Sequence, residues 1–344
     1  MKIMLISVKS EVSRGGIAVW TDRFLAKCAQ LNIDCALVNT EIIGKRTSTG
    51  KRRLWDECIR TVRIFRKVRK LLKAESFDAV YLNTSCGSFG LFRDRWLAKM
   101  IRKQGIALIT QYHCEIPYWV RRKASIKCLG HLAADSCRNL VLCQKSGDFL
   151  RKQYGVDSIR IPNFVAESVV LTTEKPIAPQ IARVCFVGRV SEAKGASELF
   201  AVARKFPKMT FELIGDVSQE VLTWEKPANV ILFGAASNEA VITRLDAADV
   251  FLFPSHTEGC SMALMEAMAR GLPCVATDVG ANADMLDGCG IIVEKHDVVA
   301  MAAAVRAWED PVVRREMSCK CVEKVKEHYT DQNVDKIVAL IGQL

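Results

Sequence analysis

Short apolar runs alternate with longer amphipathic stretches along the chain, and the alternation starts twice. The first half carries KIMLISV, IDCALVN, FDAVYLNT, IALITQYH, NLVLCQ and SIRIPN; the second carries RVCFVGR, TFELIGD, VILFG, VFLFPS, PCVATD and GIIV. Strands separated by helices join into one sheet by parallel crossovers, which cover both faces with helix. The pattern therefore predicts an α/β chain with two doubly wound, Rossmann-like domains. Between the halves, AESVVLTTEKPIAPQIA holds two prolines and no clear period, and reads as a linker. We expect a first domain over 1–168, a second over 169–328, and a final helix within 329–344 that packs back across the junction. A length of 344 residues is long for one compact core and suits this division.

Composition narrows the class. No apolar run approaches the ~20 residues of a membrane span. The opening MKIMLISVKSEVSRGG reads as a first strand and a glycine turn, not a signal peptide. The 14 cysteines are scattered and form no CxxC pair, so zinc-ribbon and redox readings are weak. Unpatterned thiols in apolar segments match a reducing cytosol. A net charge of +11 implies anionic partners. With no zinc-finger or RNP-like motif, phosphate and membrane surfaces rank above nucleic acid.

The segment PSHTEGCSMALMEAMARGLPCVATDVG, from Pro254 to Gly280, forms a strand–helix–strand unit. Gly271 and Pro273 end the helix, expected over Ser261–Arg270, and its N-terminus lies at the carboxyl edge of the sheet. Open α/β sheets bind ligands at that edge. Glu258 precedes the helix and Glu266 lies within it, about 12 Å apart at helical rise. That is too far for a shared proton or an acid/base pair across one bond. The amides of Cys260, Ser261 and Met262 sit between them at the positive end of the helix, an anion site. Glu266, on a face with Met262, Met265 and Ala269, is either a reader of ligand hydroxyls or a structural partner of an arginine.

A second element, CFVGRVSEAKGASELF, runs from a strand through Gly188 into a helix. Arg189 and Lys194 project from its loop, a fork and a point charge suited to a diphosphate. The spacing is not that of a Walker loop.

Together these motifs resemble the retaining GT-B glycosyltransferases of family 4 (glycosyl transferases group 1). Glu258 and Glu266 match the family's E-x7-E pattern, FVGRVSEAKG its GR…KG element, and LIGD and ILFG its strand-end motifs. The likeness is strong over 184–294 and weaker before it, where it rests on RGGIAVW, QYHCE and IPN. The resemblance implies a GT-B fold, two Rossmann-like domains facing a cleft that holds a nucleotide-diphosphate-sugar donor. It puts Arg189 and Lys194 on the diphosphate, Glu266 on the ribose, Glu258 on the transferred sugar, and the Cys260, Ser261 and Met262 amides beside them. Gly15 and Gly16 would approach phosphate or acceptor from the first domain, and His113 would stand near the sugar. It implies substitution with retention through a glycosyl cation-like state, with no cofactor and no essential metal. One departure is Cys260-Ser261, where many relatives carry Phe-Gly.

The resulting expectation is a transferase moving a sugar from a UDP- or GDP-type donor to a saccharide acceptor, lipid-linked, in cell-surface polysaccharide or glycolipid biosynthesis. Alternatives are a nucleotide-sugar epimerase and a non-catalytic nucleotide-sugar binder. A nicotinamide-dependent oxidoreductase lacks its G-x-G-x-x-G turn after the first strand. RRLWDECIRTVRIFRKVRKLLK carries an apolar stripe, Leu54, Cys58, Val62, Phe65, Val68 and Leu72, expected to pack inward, with Arg60, Arg63, Arg66, Lys67, Arg69 and Lys70 between. With PYWVRRKASIK, it predicts a cytoplasmic protein docked peripherally on anionic lipid.

Overall fold

The computed structural model describes residues 1–9, 15–41 and 54–344, the side chain of Leu54 excepted. The chain divides into two units, Met1–Pro162 with Asp331–Leu344, and Asn163–Thr330.

The first unit holds β1 (Lys2–Ser7), β2 (Asp34–Asn39), β3 (Ala79–Thr84), β4 (Ala107–Tyr112), β5 (Arg138–Val141) and β6 (Ile159–Arg160). They pair in parallel in the order β2-β1-β3-β4-β5-β6. Every residue of β3 is buried, which is why its run shows no polar alternation. The second unit holds β7 (Arg183–Val187), β8 (Thr210–Ile214), β9 (Val230–Gly234), β10 (Val250–Phe253), β11 (Cys274–Thr277) and β12 (Gly290–Val293). Its order is β12-β11-β10-β7-β8-β9, also parallel. Each apolar run of the sequence carries one of these strands. The winding reverses between β1 and β3 in one sheet and between β7 and β10 in the other. Such switch points open a crevice beyond the strands' carboxyl ends, because the flanking loops depart in opposite directions.

The first break falls at Pro162/Asn163, not at 168, because the residues just after it are bonded into the second unit. Asn163 Nδ2 donates to the Cys260 carbonyl at 2.8 Å, and the Val165 amide donates to the Tyr329 carbonyl at 2.8 Å. Val165 also bridges Thr330, which moves the second break from 328 to Thr330/Asp331. The final helix, Gln332–Gly342, packs on the helix Gly16–Gln30 of the first unit. Val334, Ile337 and Ile341 are buried, and Lys27 Nζ faces Asp331 at 3.9 Å and Asp335 at 3.8 Å.

The helix Leu54–Ala74 corrects the expected stripe. Its inward face runs through Glu57, Arg60, Ile64 and Val68, with Phe65 and Leu72 half-buried, while Cys58 and Val62 face solvent beside Trp55 and Ile59. A charged pair makes this register possible. Arg60 Nη1 donates to both Glu57 oxygens at 3.2 and 3.0 Å, and Arg60 Nε donates to the Thr40 carbonyl at 2.8 Å. Satisfied in this way, the guanidinium tolerates an inward position that apolar periodicity assigns elsewhere. Leu54 itself lies outside the described side chains.

Candidate functional site

The switch point between β7 and β10 collects most of the residues selected from sequence. Gly188 ends β7 at φ 149°, and its amide donates to the Ile214 carbonyl at 2.9 Å. Arg189 follows, exposed. A short 3-10 turn, Glu192–Lys194, then leads to Gly195 at φ 78°. A Cβ on Gly195 would overlap the Pro254 carbonyl, so only glycine lets the loop after β7 lie directly on the loop after β10. The His256 amide closes the same seam by donating to the Ala193 carbonyl at 3.1 Å.

This seam brings together two residues given separate tasks by the resemblance. Lys194 Nζ donates to Glu258 Oε1 at 2.5 Å and to the Thr257 carbonyl at 3.2 Å. The Glu258 side chain is 13% exposed and that of Lys194 29%, so the pair sits at a half-open sheet edge. Charge-assisted bonds in such a partly desolvated place are about twice as strong as neutral ones. Behind Glu258, Gly280 adopts φ 56°, and a Cβ there would stand 2.5 Å from the Gly259 oxygen and 2.7 Å from the Glu258 oxygen. The loop after β11 therefore presses on the backbone that carries Glu258.

The helix between the glutamates spans Met262–Ala269, shorter than expected, because Ser261 is its cap. Ser261 Oγ accepts from the Leu264 amide at 3.2 Å, which satisfies one first-turn donor internally. The Ser261 and Met262 amides remain at the positive end of the helix. Cys260 precedes the cap, with its amide beside theirs. Its side chain is buried, with Sγ 3.7 Å from Met285 Sδ, and its carbonyl accepts from Asn163, so its side chain packs rather than reads a ligand. Leu264, Met265, Ala267, Met268 and Ala269 are buried, whereas Glu266 is half-buried and reaches the surface.

Gly15, Gly16 and His113 belong to the first unit. Gly15 caps the helix Gly16–Gln30, its carbonyl accepting from Ala18 and Val19 at 2.9 and 3.2 Å. Both glycines are exposed, and a Cβ on Gly15 would meet nothing within 4 Å. His113 follows β4, half-buried, with its ring edge-on to Trp20 at 5.2 Å. Burial pushes its pKa down from 6.5 to about 3, so the imidazole is neutral near pH 7. Its Nε2 lies 2.9 Å from Asn83 Oδ1, an atom that only accepts, so Nε2 carries the proton. Asn83 Nδ2 in turn donates to Ser7 Oγ at 2.9 Å, and Ser7 Oγ lies 2.7 Å from Thr21 Oγ1. Sequence reasoning missed this relay. Its signal was a polar residue near the carboxyl end of two apolar runs, Ser7 in β1 and Asn83 in β3, flanking the switch point.

The profile of the family described as "Glycosyl transferases group 1" matches residues 182–309, the stretch that holds Arg189, Lys194, Glu258 and Glu266. The chain is a GT-B glycosyltransferase. This glycosyltransferase is 23% identical over 315 residues to an uncharacterized 41.2 kDa protein in the cps region of Klebsiella pneumoniae, covering 84% of this chain and 85% of that protein. It is 31% identical over 107 residues, 27% of this chain and 28% of the relative, to an Escherichia coli UDP-Gal:alpha-D-GlcNAc-diphosphoundecaprenol alpha-1,3-galactosyltransferase. In fold, the glycosyltransferase is similar to sucrose-phosphate synthase from Thermosynechococcus elongatus, with a TM-score of 0.80 at 17% identity, covering 100% of this chain and 98% of that one. Among its described residues, no helix is long and apolar enough to cross a membrane.

Proposed function

We propose that this glycosyltransferase moves a sugar, with retention of configuration, from a UDP- or GDP-type nucleotide sugar to a lipid-linked saccharide acceptor in cell-surface polysaccharide or glycolipid synthesis. The observation that carries the reading is the Lys194–Glu258 contact of 2.5 Å at the β7/β10 switch point, beside the positive end of the helix Met262–Ala269. A cation, a carboxylate and helix amides at one sheet edge match the needs of a sugar diphosphate. The Escherichia coli relative, named for UDP-Gal and a diphosphoundecaprenol-linked acceptor, supports the donor and acceptor classes.

In this reading the anomeric carbon–oxygen bond to the diphosphate breaks while the acceptor oxygen bonds on the same face. The acceptor proton passes to the leaving diphosphate. Arg189 and Lys194 oppose the charge that grows on that group, and the Ser261 and Met262 amides add fixed dipoles. Glu258 steadies positive charge on the sugar ring and positions it. Glu266 accepts from ribose hydroxyls. Neutral His113, held by Asn83, offers its unprotonated Nδ1 to a sugar hydroxyl. With cations supplied by the chain, the transfer needs no metal.

Membrane docking belongs to the same proposal. In the first unit Trp55, Ile59 and Val62 are exposed, and Arg63, Arg66, Lys67 and Lys70 line the same open groove of about 1040 Å³. Phe89, Phe92 and Trp96 are exposed on the helix Ser88–Arg102, and Trp119 beside Tyr118 on the short helix Ile116–Trp119. Aromatics with interleaved cations suit an anionic lipid interface.

The deciding experiment offers a panel of nucleotide sugars with and without saccharide acceptors, followed by NMR of the anomeric centre. An acceptor-linked product with the donor's configuration is expected. An inverted product would overturn retention. Interconversion of free nucleotide sugar without transfer would instead identify an epimerase.

A further inference from the structure

Behind the Lys194–Glu258 pair stands a separate cluster. Glu198 lies on the helix Ala196–Lys205, its side chain only 5% exposed. Glu198 Oε1 is 2.8 Å from His256 Nε2 and 2.7 Å from His296 Nδ1. The two imidazole rings meet at 4.2 Å between centroids, inclined by 62°. The second carboxylate oxygen, Oε2, accepts from Ser197 Oγ at 2.9 Å. One ligand atom from each of Glu198, His256 and His296 lies within 4.8 Å of the others, and among the described residues no other group of His, Cys, Asp or Glu does this.

The chemistry of the set is specific. Two imidazole nitrogens and one carboxylate oxygen are the ligands that borderline divalent ions prefer, and harder ions such as Mg²⁺ do not. Ser197 Oγ holds the second carboxylate oxygen from behind, so Glu198 presents Oε1 to the two rings. His256 is 16% exposed and His296 64%, so the cluster is closed on the protein side and open to water on the other. His296 also holds φ 65°, a left-handed backbone uncommon outside glycine.

We propose that Glu198, His256 and His296 form a three-ligand site for a divalent transition ion of the Zn²⁺ type, with water in the fourth position. Zn²⁺ bonds imidazole nitrogen and carboxylate oxygen at about 2.0–2.2 Å. A tetrahedral ion spreads its ligands to roughly 3.3 Å, so the present contacts open by about half an ångström. His296, on an exposed loop, can make that shift. Each ring nitrogen facing Glu198 gives up its hydrogen: a neutral ring shifts it to the other nitrogen, and a charged ring releases it to solvent.

The consequence is mechanical, not catalytic. The site ties three segments together: the helix behind Lys194, the loop after β10, and the loop after β12. His256 lies two residues before Glu258 and its amide is bonded to Ala193, next to Lys194. An ion here fixes the backbone that carries the Lys194–Glu258 pair without contacting either side chain. The inference is independent of the donor reading, since it requires only these three side chains.

The test uses the whole chain, stripped of metal with a chelator and titrated with Zn²⁺ alone against a chromophoric competitor. Co²⁺ is then used as the spectroscopic probe. His296→Asn is the main variant, because asparagine tolerates the left-handed backbone and keeps the fold; Glu198→Gln is the second. We expect one tight Zn²⁺ per chain, a Zn²⁺-dependent rise in Tm, and binding weakened by about tenfold or more in both variants. The Co²⁺ complex should show intense visible bands of tetrahedral type without a thiolate-to-cobalt band, and His296→Asn should remove them. Equal binding by wild type and His296→Asn, a thiolate band that the variant leaves unchanged, or no Zn²⁺ binding at micromolar concentration would each overturn the proposal.

Discussion

Lys194 Nζ and Glu258 Oε1 lie 2.5 Å apart although 64 residues separate them in the chain. The contact exists because β7 and β10 are neighbours and Gly195 lets their trailing loops touch. It holds the cation and the carboxylate in place before any substrate arrives, which reduces the reorganisation a transfer would need.

Breaking this pair should cost turnover from both sides. Glu258→Gln is expected to lower kcat by roughly 10²–10³ with little change in donor KM, since an electrostatic group at the reacting centre acts mainly in the transition state. Lys194→Ala should lower kcat comparably and also raise donor KM, because the proposed reading puts Lys194 on the donor diphosphate as well. Steady-state kinetics with the accepted donor distinguish the two patterns.

Glu266→Ala should separate binding from chemistry. Loss of one charge-assisted hydrogen bond, about 1.5–3 kcal/mol, corresponds to a 10- to 100-fold weaker nucleoside diphosphate affinity. Turnover at saturating donor should fall much less. Calorimetric titration with UDP and GDP measures the first quantity. An unaltered affinity would remove Glu266 from the site and leave it a structural partner.

Gly280→Ala probes the loop behind Glu258. The added Cβ would lie 2.5 Å from the Gly259 oxygen, at φ 56°. We expect a loss of about 1–3 kcal/mol in stability and at least tenfold in activity, as the Glu258 backbone is pushed from its position. Thermal melting and kcat should move together; a melting change alone would show that the loop absorbs the strain elsewhere.

The half-buried imidazole of His113 gives a pH signature. Its pKa is about 3 in the folded protein, against an ordinary 6.5. Between those values the unfolded chain binds a proton that the folded chain does not, so stability decreases as pH falls. The full contribution is present above pH 6.5 and declines toward pH 3. Tm measured from about pH 7 to 4 should fall less steeply in His113→Gln than in wild type, and the activity profile should show no inflection from His113 near 6.5.

Lipid docking is testable by charge removal. Replacing Arg63, Arg66, Lys67 and Lys70 with glutamine should weaken binding to vesicles rich in anionic lipid by about fivefold per charge, from ~1 kcal/mol each. Flotation would then leave the variant in the soluble fraction, with catalysis on a water-soluble acceptor intact. Equal flotation of variant and wild type would exclude this face.

Periodicity and glycine placement determined the architecture from sequence alone. A strand buried on both faces, such as AVYLNT in β3, shows an unbroken apolar run before its polar carboxyl end, and the helix between Glu258 and Gly271 carries its own stop signals. Those features are local, so one-dimensional patterns record them. The inward face of Leu54–Ala74 was misread for the same reason: periodicity counts apolar residues, and cannot see that Arg60 is neutralised by Glu57 and bonded to Thr40 across the fold. Only the tertiary structure decided that Lys194 meets Glu258, that Asn83 fixes the protonated nitrogen of His113, and that Glu198 gathers His256 and His296. Each of these contacts joins residues on separate elements of one unit, and distance between them depends on strand order and loop packing, which local spacing does not encode.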